Sequence, residues 1–414
     1  MSIRRLAAVT ATAAFLFAAC SGGGASTAPS TAASEAPSAA ASEPAASESA
    51  AASAAAGDCV VGVSWNNFQQ PRWAALDEPG IKDTVEGGGG SYISADANLS
   101  TEQQLTDVQT MLSQGAKVLI ILAQDTTVIG PAVQAAKDAN VPVIAYDRLI
   151  EDPDVLYITF DNVGVGKAEA EAILAAVPTG NYVLIKGDPG DPNASTFLPQ
   201  GWDDAGLKAK VDSGDIKILN GPASGAGTWP QDYGTYTDAW ATETAQANME
   251  AIIDKAVADG NQIDAVLAEN DSTALGVAAA LTGKNYDPYP KVSGQDGDKA
   301  NLNNVAKGLQ HVDVWKQANQ LGRAAGAAAL ALCAGGDMAS LTLGEGLVAA
   351  DVAPAAGLTA QPFETPGGNT VSSFILQPTP LTAENLQLAI DGGQITKAEL
   401  CAGVDAASAP AACQ

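Results

Sequence analysis

From residue 58 onward, short apolar runs alternate with stretches whose apolar residues recur at helical spacing. Cys59–Ser64, Tyr92–Ala95 and Lys117–Ala123 read as strands, and 72–86 between the first two reads as a helix. The run KVLIILA is apolar at nearly every position, the pattern of a parallel strand covered on both faces. Ser100-Thr101-Glu102-Gln103 has the form of a capping box, with Gln103 placed to reach back to the Ser100 backbone. Leu105, Val108, Met111 and Leu112 follow on one helical face, and Gly115 ends it. A helix over 129–139 and a strand over 141–146 come next.

The rhythm then restarts. Strands are predicted at Leu156–Phe160, Tyr182–Lys186, Ile216–Leu219 and Ala265–Ala268, with further strands at 291–294 and 310–315. Helices are predicted over 163–177, 197–212, 240–258 and 271–282, and an Ala-rich one over 316–334. Such alternation predicts the α/β class, with parallel sheets and helices on both faces. Some 357 residues (414 less the first 57) exceed one hydrophobic core, so two doubly wound lobes are expected. Sheets of this kind bind ligands at the carboxyl ends of their strands, so the two lobes should face each other across a cleft. Residues 221–239, rich in Gly, Tyr and Trp, read as an insertion, and 338–370 show no assignable element.

The first 57 residues differ in kind. Arg4 and Arg5 precede an uncharged apolar stretch, Leu6–Ala19, too short to span a bilayer and ending in small residues. Residues 1–19 therefore read as a signal peptide. Cys20, directly after Phe17-Ala18-Ala19, sits where a bacterial lipobox places its lipidated cysteine. Residues 20–57 comprise that cysteine and a Ser/Ala/Pro segment with nothing to bury, expected to be a disordered tether. The expected location is outside the cell or in the periplasm, held by lipid at the outer face of the cytoplasmic membrane.

Charge and composition narrow the chemistry. A formal net charge of −27 would repel nucleic-acid phosphates, so no nucleic-acid partner is expected. Besides Cys20 there are Cys59, Cys333, Cys401 and Cys413, which allow two disulfides in any of three pairings. No Cys/His cluster with metal-ligand spacing exists and the chain has a single histidine, His311, so neither a metal site nor His-based catalysis is expected. Gly164 and Gly166 resemble part of a dinucleotide fingerprint, but Glu169 takes the place of the third glycine, so no cofactor is expected.

Polar residues gather just after the predicted strands. Asp125, Asp147, Arg148, Asp188, Asp191, Asn193, Asn270, Asp271 and Asp296 all fall there. Each alone reads as a cap or loop residue. Together they suit a ligand rich in hydroxyls, which donate and accept hydrogen bonds at once. Trp73 and Trp240 add flat apolar faces for the C–H side of a sugar ring.

These residues carry a resemblance. Arg72-Trp73, AKVLIILAQD, VIAYDRLI at 143–150 and YITFDNVGVG at 157–166 resemble the D-xylose-binding periplasmic protein family of ABC transporters. So do PTGNYVLIKGDP at 178–189, LAENDSTALG at 267–276, VSGQDGDKA at 292–300 and VWKQ at 314–317. The resemblance runs from Cys59 to about Ala334 and implies a type I periplasmic-binding-protein fold, with two lobes joined by a three-strand hinge. It implies lobe one at 58–162 plus 315–371, lobe two at 163–314 plus 372–400 and a C-terminal tail at 401–414. Crossings are expected near Asp161-Asn162, Val314-Trp315 and Ile375-Leu376.

Residue by residue, the resemblance implies a ligand site made of Arg72, Trp73, Asp147, Arg148, Asn193, Trp240, Asn270, Asp296 and Lys316. Pro192 departs from the family's Asp-Asn-Asn-Ala stretch, and Asn66 and Asn67 replace its acidic pair. The implied ligand is D-xylose, with glucose, arabinose, galactose or ribose as the alternative. The implied partners are an ABC permease and its ATPase, and the protein itself is expected to be a non-enzymatic monomer. A glycosidase using two carboxylates is the enzymatic rival, since 47 acidic residues offer many pairs. The sensory domain of a transcription regulator is the other, and the export signal argues against it.

Overall fold

The computed structural model describes residues 58–222, 227–344 and 357–414. The segments expected to be a signal peptide, a lipidated Cys20 and a tether, and parts of 221–239 and of 338–370, lie outside the described residues.

The chain opens with β1 (Val60–Trp65), a π-helical turn at Trp73–Asp77, α1 (Glu78–Gly87), β2 (Ser91–Asp96), α2 (Thr101–Ser113), β3 (Val118–Ile121), α3 (Gly130–Asp138), β4 (Val143–Tyr146) and β5 (Val155–Phe160). It continues through α4 (Asn162–Ala176), β6 (Gly180–Ile185), α5 (Leu198–Asp204), α6 (Leu207–Ser213), β7 (Ile216–Ile218), α7 (Thr242–Ala258), β8 (Ala265–Ala268), α8 (Asp271–Gly283), β9 (Lys291–Val292), α9 (Lys299–Lys307) and β10 (Asp313–Trp315). The last part holds α10 (Ala318–Cys333), β11 (Gln361–Glu364), β12 (Thr370–Leu376), β13 (Thr379–Leu381), α11 (Gln387–Asp391) and α12 (Lys397–Leu400).

Two sheets follow from these strands. The first has the order β11-β12-β5-β4-β3-β1-β2, parallel except for β11. The second has the order β7-β6-β8-β9, all parallel. β3, β4 and β8 are buried at every position because apolar clusters cover both faces of each sheet. This is the expected α/β architecture, two mostly parallel sheets with flanking helices.

The chain passes between the two sheets three times. It leaves the first sheet after β5, returns after β10 to α10, and leaves again after β12. β10 and β13 pair with each other as a two-stranded antiparallel ribbon.

Several expectations change. β12 pairs with β5 along Ser372–Leu376, so a lobe boundary at 371/372 falls inside a strand of the first sheet. The region 338–370 contains β11, which takes the sheet edge. The helix expected over 197–212 breaks at Gly206, whose φ of +92° is a left-handed conformation no helix can continue. The helix expected from 240 starts at Thr242, because Ala239 and Trp240 are themselves left-handed. The Ser100 hydroxyl does cap α2, but the Gln103 amide turns to Asp107 instead of back to the cap. The 401–414 tail is packed: Ala412 is buried in the cluster with Leu302, Trp315 and Leu381. The disulfides are Cys59–Cys333, joining the start of β1 to the end of α10, and Cys401–Cys413.

Candidate functional site

The carboxyl ends of β1 and β4 in the first lobe and of β6, β8 and β9 in the second converge on one cavity. Its lining includes Gln70, Arg72, Trp73, Asp147, Asp191, Asn193, Trp240, Asn270, Gln295, Asp296 and Lys316. Its volume is about 20 Å³, room for about one water and far below the ~300–1,000 Å³ usual for drug-sized ligands, so in this state the lining side chains nearly close it. A larger groove beside β7 is bordered by exposed, solvated charges such as Lys217 and Asp259 and shows no such convergence.

Arg72 organises the first-lobe side. Its Nε and Nη2 donate to the two carboxylate oxygens of Asp77 at 3.1 and 2.8 Å. Its Nη2 also lies 3.2 Å from Asp147 Oδ1, and its Nη1 donates to Asp296 Oδ1 at 2.8 Å. Burial opposes the guanidinium's charge, but Asp77, Asp147 and Asp296 together outweigh it and hold it charged. Burial pushes the Asp77 carboxyl up to about 6 even though Arg72 and the Tyr146 hydroxyl, which donates to it at 2.6 Å, favour its charge.

Two carboxylates of the site sit on left-handed backbone. Asp147 follows β4 with φ +63°, its N–H bonded to Ile158 O and its carbonyl to Thr159 Oγ1, both at 2.8 Å. Asp296 follows β9 with φ +112°, its N–H donating to Val314 O at 3.2 Å. Non-glycine residues held this way mark places where the surroundings impose the side-chain direction.

The second lobe adds neutral groups, and the crossing from β10 to α10 adds a cation. Asn193 opens a π-helical turn and donates through Nδ2 to Asp147 O at 3.4 Å, across the cleft. Asn270 is both cap and site residue: its Oδ1 accepts from Thr273 N at 2.9 Å, and it also lines the cavity. Lys316, directly after β10, brings its ammonium to 3.8 Å from Asp296 Oδ1.

Trp73 carries the Arg72 guanidinium over its ring at 4.2 Å. Trp240 is delivered by the insertion. Thr235 bridges to Ile185 and extends the sheet beside β6, and Ala239 N donates to Asp188 Oδ2 at 2.6 Å. The indole then rests on Gly187, where a Cβ would lie 2.2 Å from the ring.

Eight of the nine expected site residues thus line one cavity. Arg148 does not. Its Nη1 donates to Ala123 O and Gln124 O at the end of β3, and its Nε lies 2.9 Å from Asp191 Oδ2 of the opposite lobe. It anchors strand ends and one cross-cleft ion pair. Burial raises the Asp191 carboxyl, and Arg148 counters it. Asp77, Gln70 and Gln295 were not among the expected residues. Gln295 had a signal, its place between Gly294 and Asp296 after a strand. Asp77 and Gln70 had none, because what makes them functional is their long-range surroundings.

The sequence profile of the periplasmic binding protein domain matches residues 61–337. The chain belongs to the periplasmic binding protein family. It is 33% identical to the D-xylose-binding periplasmic protein of Escherichia coli (strain K12), over 70% of this chain and 83% of that protein. It is 31% identical to the D-xylose-binding periplasmic protein of Haemophilus influenzae, over 64% and 74%. Among solved structures, an ABC transporter solute binding protein from Clostridium phytofermentans with bound β-D-glucose superposes with a TM-score of 0.69. That pair shares 32% identity, covering 82% of this chain and 99% of the other.

Proposed function

We propose that this protein is the sugar-binding component of an ABC importer, that it takes up D-xylose between its lobes, and that it hands the sugar to a membrane permease whose ATPase drives import. The observation that carries the reading is the charge balance of the buried cavity. Arg72 is answered by Asp77, Asp147 and Asp296, Arg148 by Asp191, and Lys316 by Asp296. No cation there is left over for a sugar acid or phosphate, among the described residues. Among the described residues, buried lining atoms without a hydrogen-bond partner come from the neutral side chains of Gln70, Asn193, Gln295, Trp73 and Trp240 and from Asp147 Oδ1, which Arg72 faces at 3.2 Å, a set matched to hydroxyls.

Xylose is favoured by the two xylose-binding relatives. Glucose is the second reading, supported by the glucose-bound structure at similar identity. Contacts from both lobes would favour the closed form, so sugar binding would act by population shift. The Cys20 lipid anchor, placing the protein at the outer face of the membrane, remains part of this proposal on the strength of the N-terminal sequence.

Calorimetric titration with D-xylose, D-glucose, L-arabinose, D-ribose and D-galactose tests the reading. One-to-one binding of xylose, abolished in Asp296→Ala, is the expected result. Tight binding of glucose in place of xylose corrects the substrate, and silence toward all five sugars overturns the assignment.

A further inference from the structure

Gln70 lies in the loop between β1 and the turn that carries Arg72 and Trp73, and it is only 5% exposed. Among the described residues its Nε2 is buried with no acceptor, and its side chain lines the cavity. The loop beneath it is fixed. Asn67 N donates to Asn66 Oδ1 at 2.7 Å, Gln69 N to Asn67 Oδ1 at 2.9 Å, and Trp73 N to Gln70 O at 3.3 Å. The backbone that carries the Gln70 side chain is therefore held in place.

The other hydrogen-bonding side chains that the first lobe sends into the cavity are of two kinds. Arg72 and Asp147 are charged and paired with each other, and Trp73 offers an indole N–H. Gln70 is the neutral amide among them. Opposite, Asn193 Oδ1 and Gln295 Oε1 are buried without a donor among the described residues. Their amide orientations are set by Asn193 Nδ2 donating to Asp147 O at 3.4 Å and Gln295 Nε2 donating to Glu269 O at 2.5 Å. The first lobe thus presents an unmatched amide donor and the second lobe unmatched amide acceptors. A hydroxyl is the group that accepts from one and donates to the other. A buried donor left unpaired costs free energy, so a ligand that supplies the missing acceptor gains selectively over one that lacks it.

We propose that Gln70 is a specificity-determining residue, donating from Nε2 to one hydroxyl of the bound aldose. This rests on the sugar-binding reading and adds to it a contact that discriminates among sugars by the presence of that hydroxyl.

The test is a ligand–protein cycle. Wild type and Gln70→Leu, which keeps the volume and removes the donor, are titrated with D-xylose, D-glucose and the monodeoxy analogues of whichever binds wild type more tightly. The expected result is a loss of about 10- to 100-fold for the parent sugar in Gln70→Leu. One deoxy analogue should bind both proteins alike, and the melting temperature of the free variant should not fall. The inference is overturned if Gln70→Leu binds the parent sugar as wild type does. It is also overturned if every analogue weakens by the same factor, the mark of a structural role. Failure of wild type to bind any aldose overturns the sugar-binding reading itself, and this inference with it.

Discussion

Arg72 Nη1 and Asp296 Oδ1 lie 2.8 Å apart although 224 residues separate them, and they come from opposite lobes. With Arg148–Asp191 at 2.9 Å, this makes two buried ion pairs that bridge the cleft. Each charge was removed from water to form them, so each pair is favourable only while both partners are present.

Arg72→Ala follows directly. It strands three carboxylates, Asp77, Asp147 and Asp296, in a buried site. Breaking a buried pair from one side costs about 3–5 kcal/mol. Denaturant unfolding should show a loss of that order, and sugar binding should vanish. Arg72→Lys should not restore it, because a point ammonium cannot meet Asp77 through two nitrogens while reaching Asp296 through a third. A lysine variant with wild-type affinity would refute the fork geometry as the requirement.

Gly187→Ala tests the seat of Trp240. A Cβ there would lie 2.2 Å from the indole, and the ring is held by the Ala239–Asp188 bond behind it. Overpacking of this kind costs about 1–3 kcal/mol and displaces the ring. Affinity should fall at least tenfold, with a changed tryptophan emission on titration, while the fold is kept. Affinity within a factor of two of wild type would show that Trp240 is not a binding surface.

How much of this was legible beforehand depends on range. The run KVLIILA announced β3, and Asn270 before an apolar helix announced α8, because both signals are local. The strand-end positions of Asp147, Asn193, Asn270 and Asp296 placed them at one site, since topology fixes where parallel strands end. Asp77 was invisible. It sits in a helical-looking stretch, and only the Tyr146 hydroxyl and the Arg72 guanidinium give it a role. The pairing of β10 with β13 joins residues about 65 positions apart with no periodic signal between them. Arg148 reads as a ligand residue by its place beside Asp147, yet its side chain turns to β3 carbonyls that no spacing reveals.

The Cys59–Cys333 bond ties the first strand to the end of α10 across a sequence separation of 274. A cross-link over so long a loop strongly restricts the unfolded chain, and loss of such a bond costs about 2–5 kcal/mol. The Cys59→Ser/Cys333→Ser protein should unfold at lower temperature than wild type. Its sugar affinity at 25 °C should be unchanged, since neither cysteine lines the cavity. A matching loss of affinity would mean that this bond also sets the positions of β1 and its site loop.

Stability should depend on pH in an unusual direction. Burial, reinforced by neighbouring Asp296, raises the Asp298 carboxyl from its ordinary range to about 7, and burial raises Asp77 to about 6. A carboxyl whose folded value exceeds its unfolded value binds protons more readily in the native state. Its favourable contribution is complete below the unfolded value near 4 and is lost as pH rises through 6 to 7. The melting temperature should therefore rise on acidification from pH 8 to about 5. Reduced repulsion within a chain of net charge −27 works in the same direction, so the slope alone does not isolate Asp298. Asp298→Asn does. The Asp298 side chain makes no capping bond to α9, so the change leaves the helix start intact while removing the titrating group. The variant should be more stable than wild type at pH 8, equal to it near pH 4, and flatter between pH 6 and 8. A profile parallel to wild type would place the proton elsewhere in the buried acidic group around Asp271 and Asp313, whose carboxyls burial also raises.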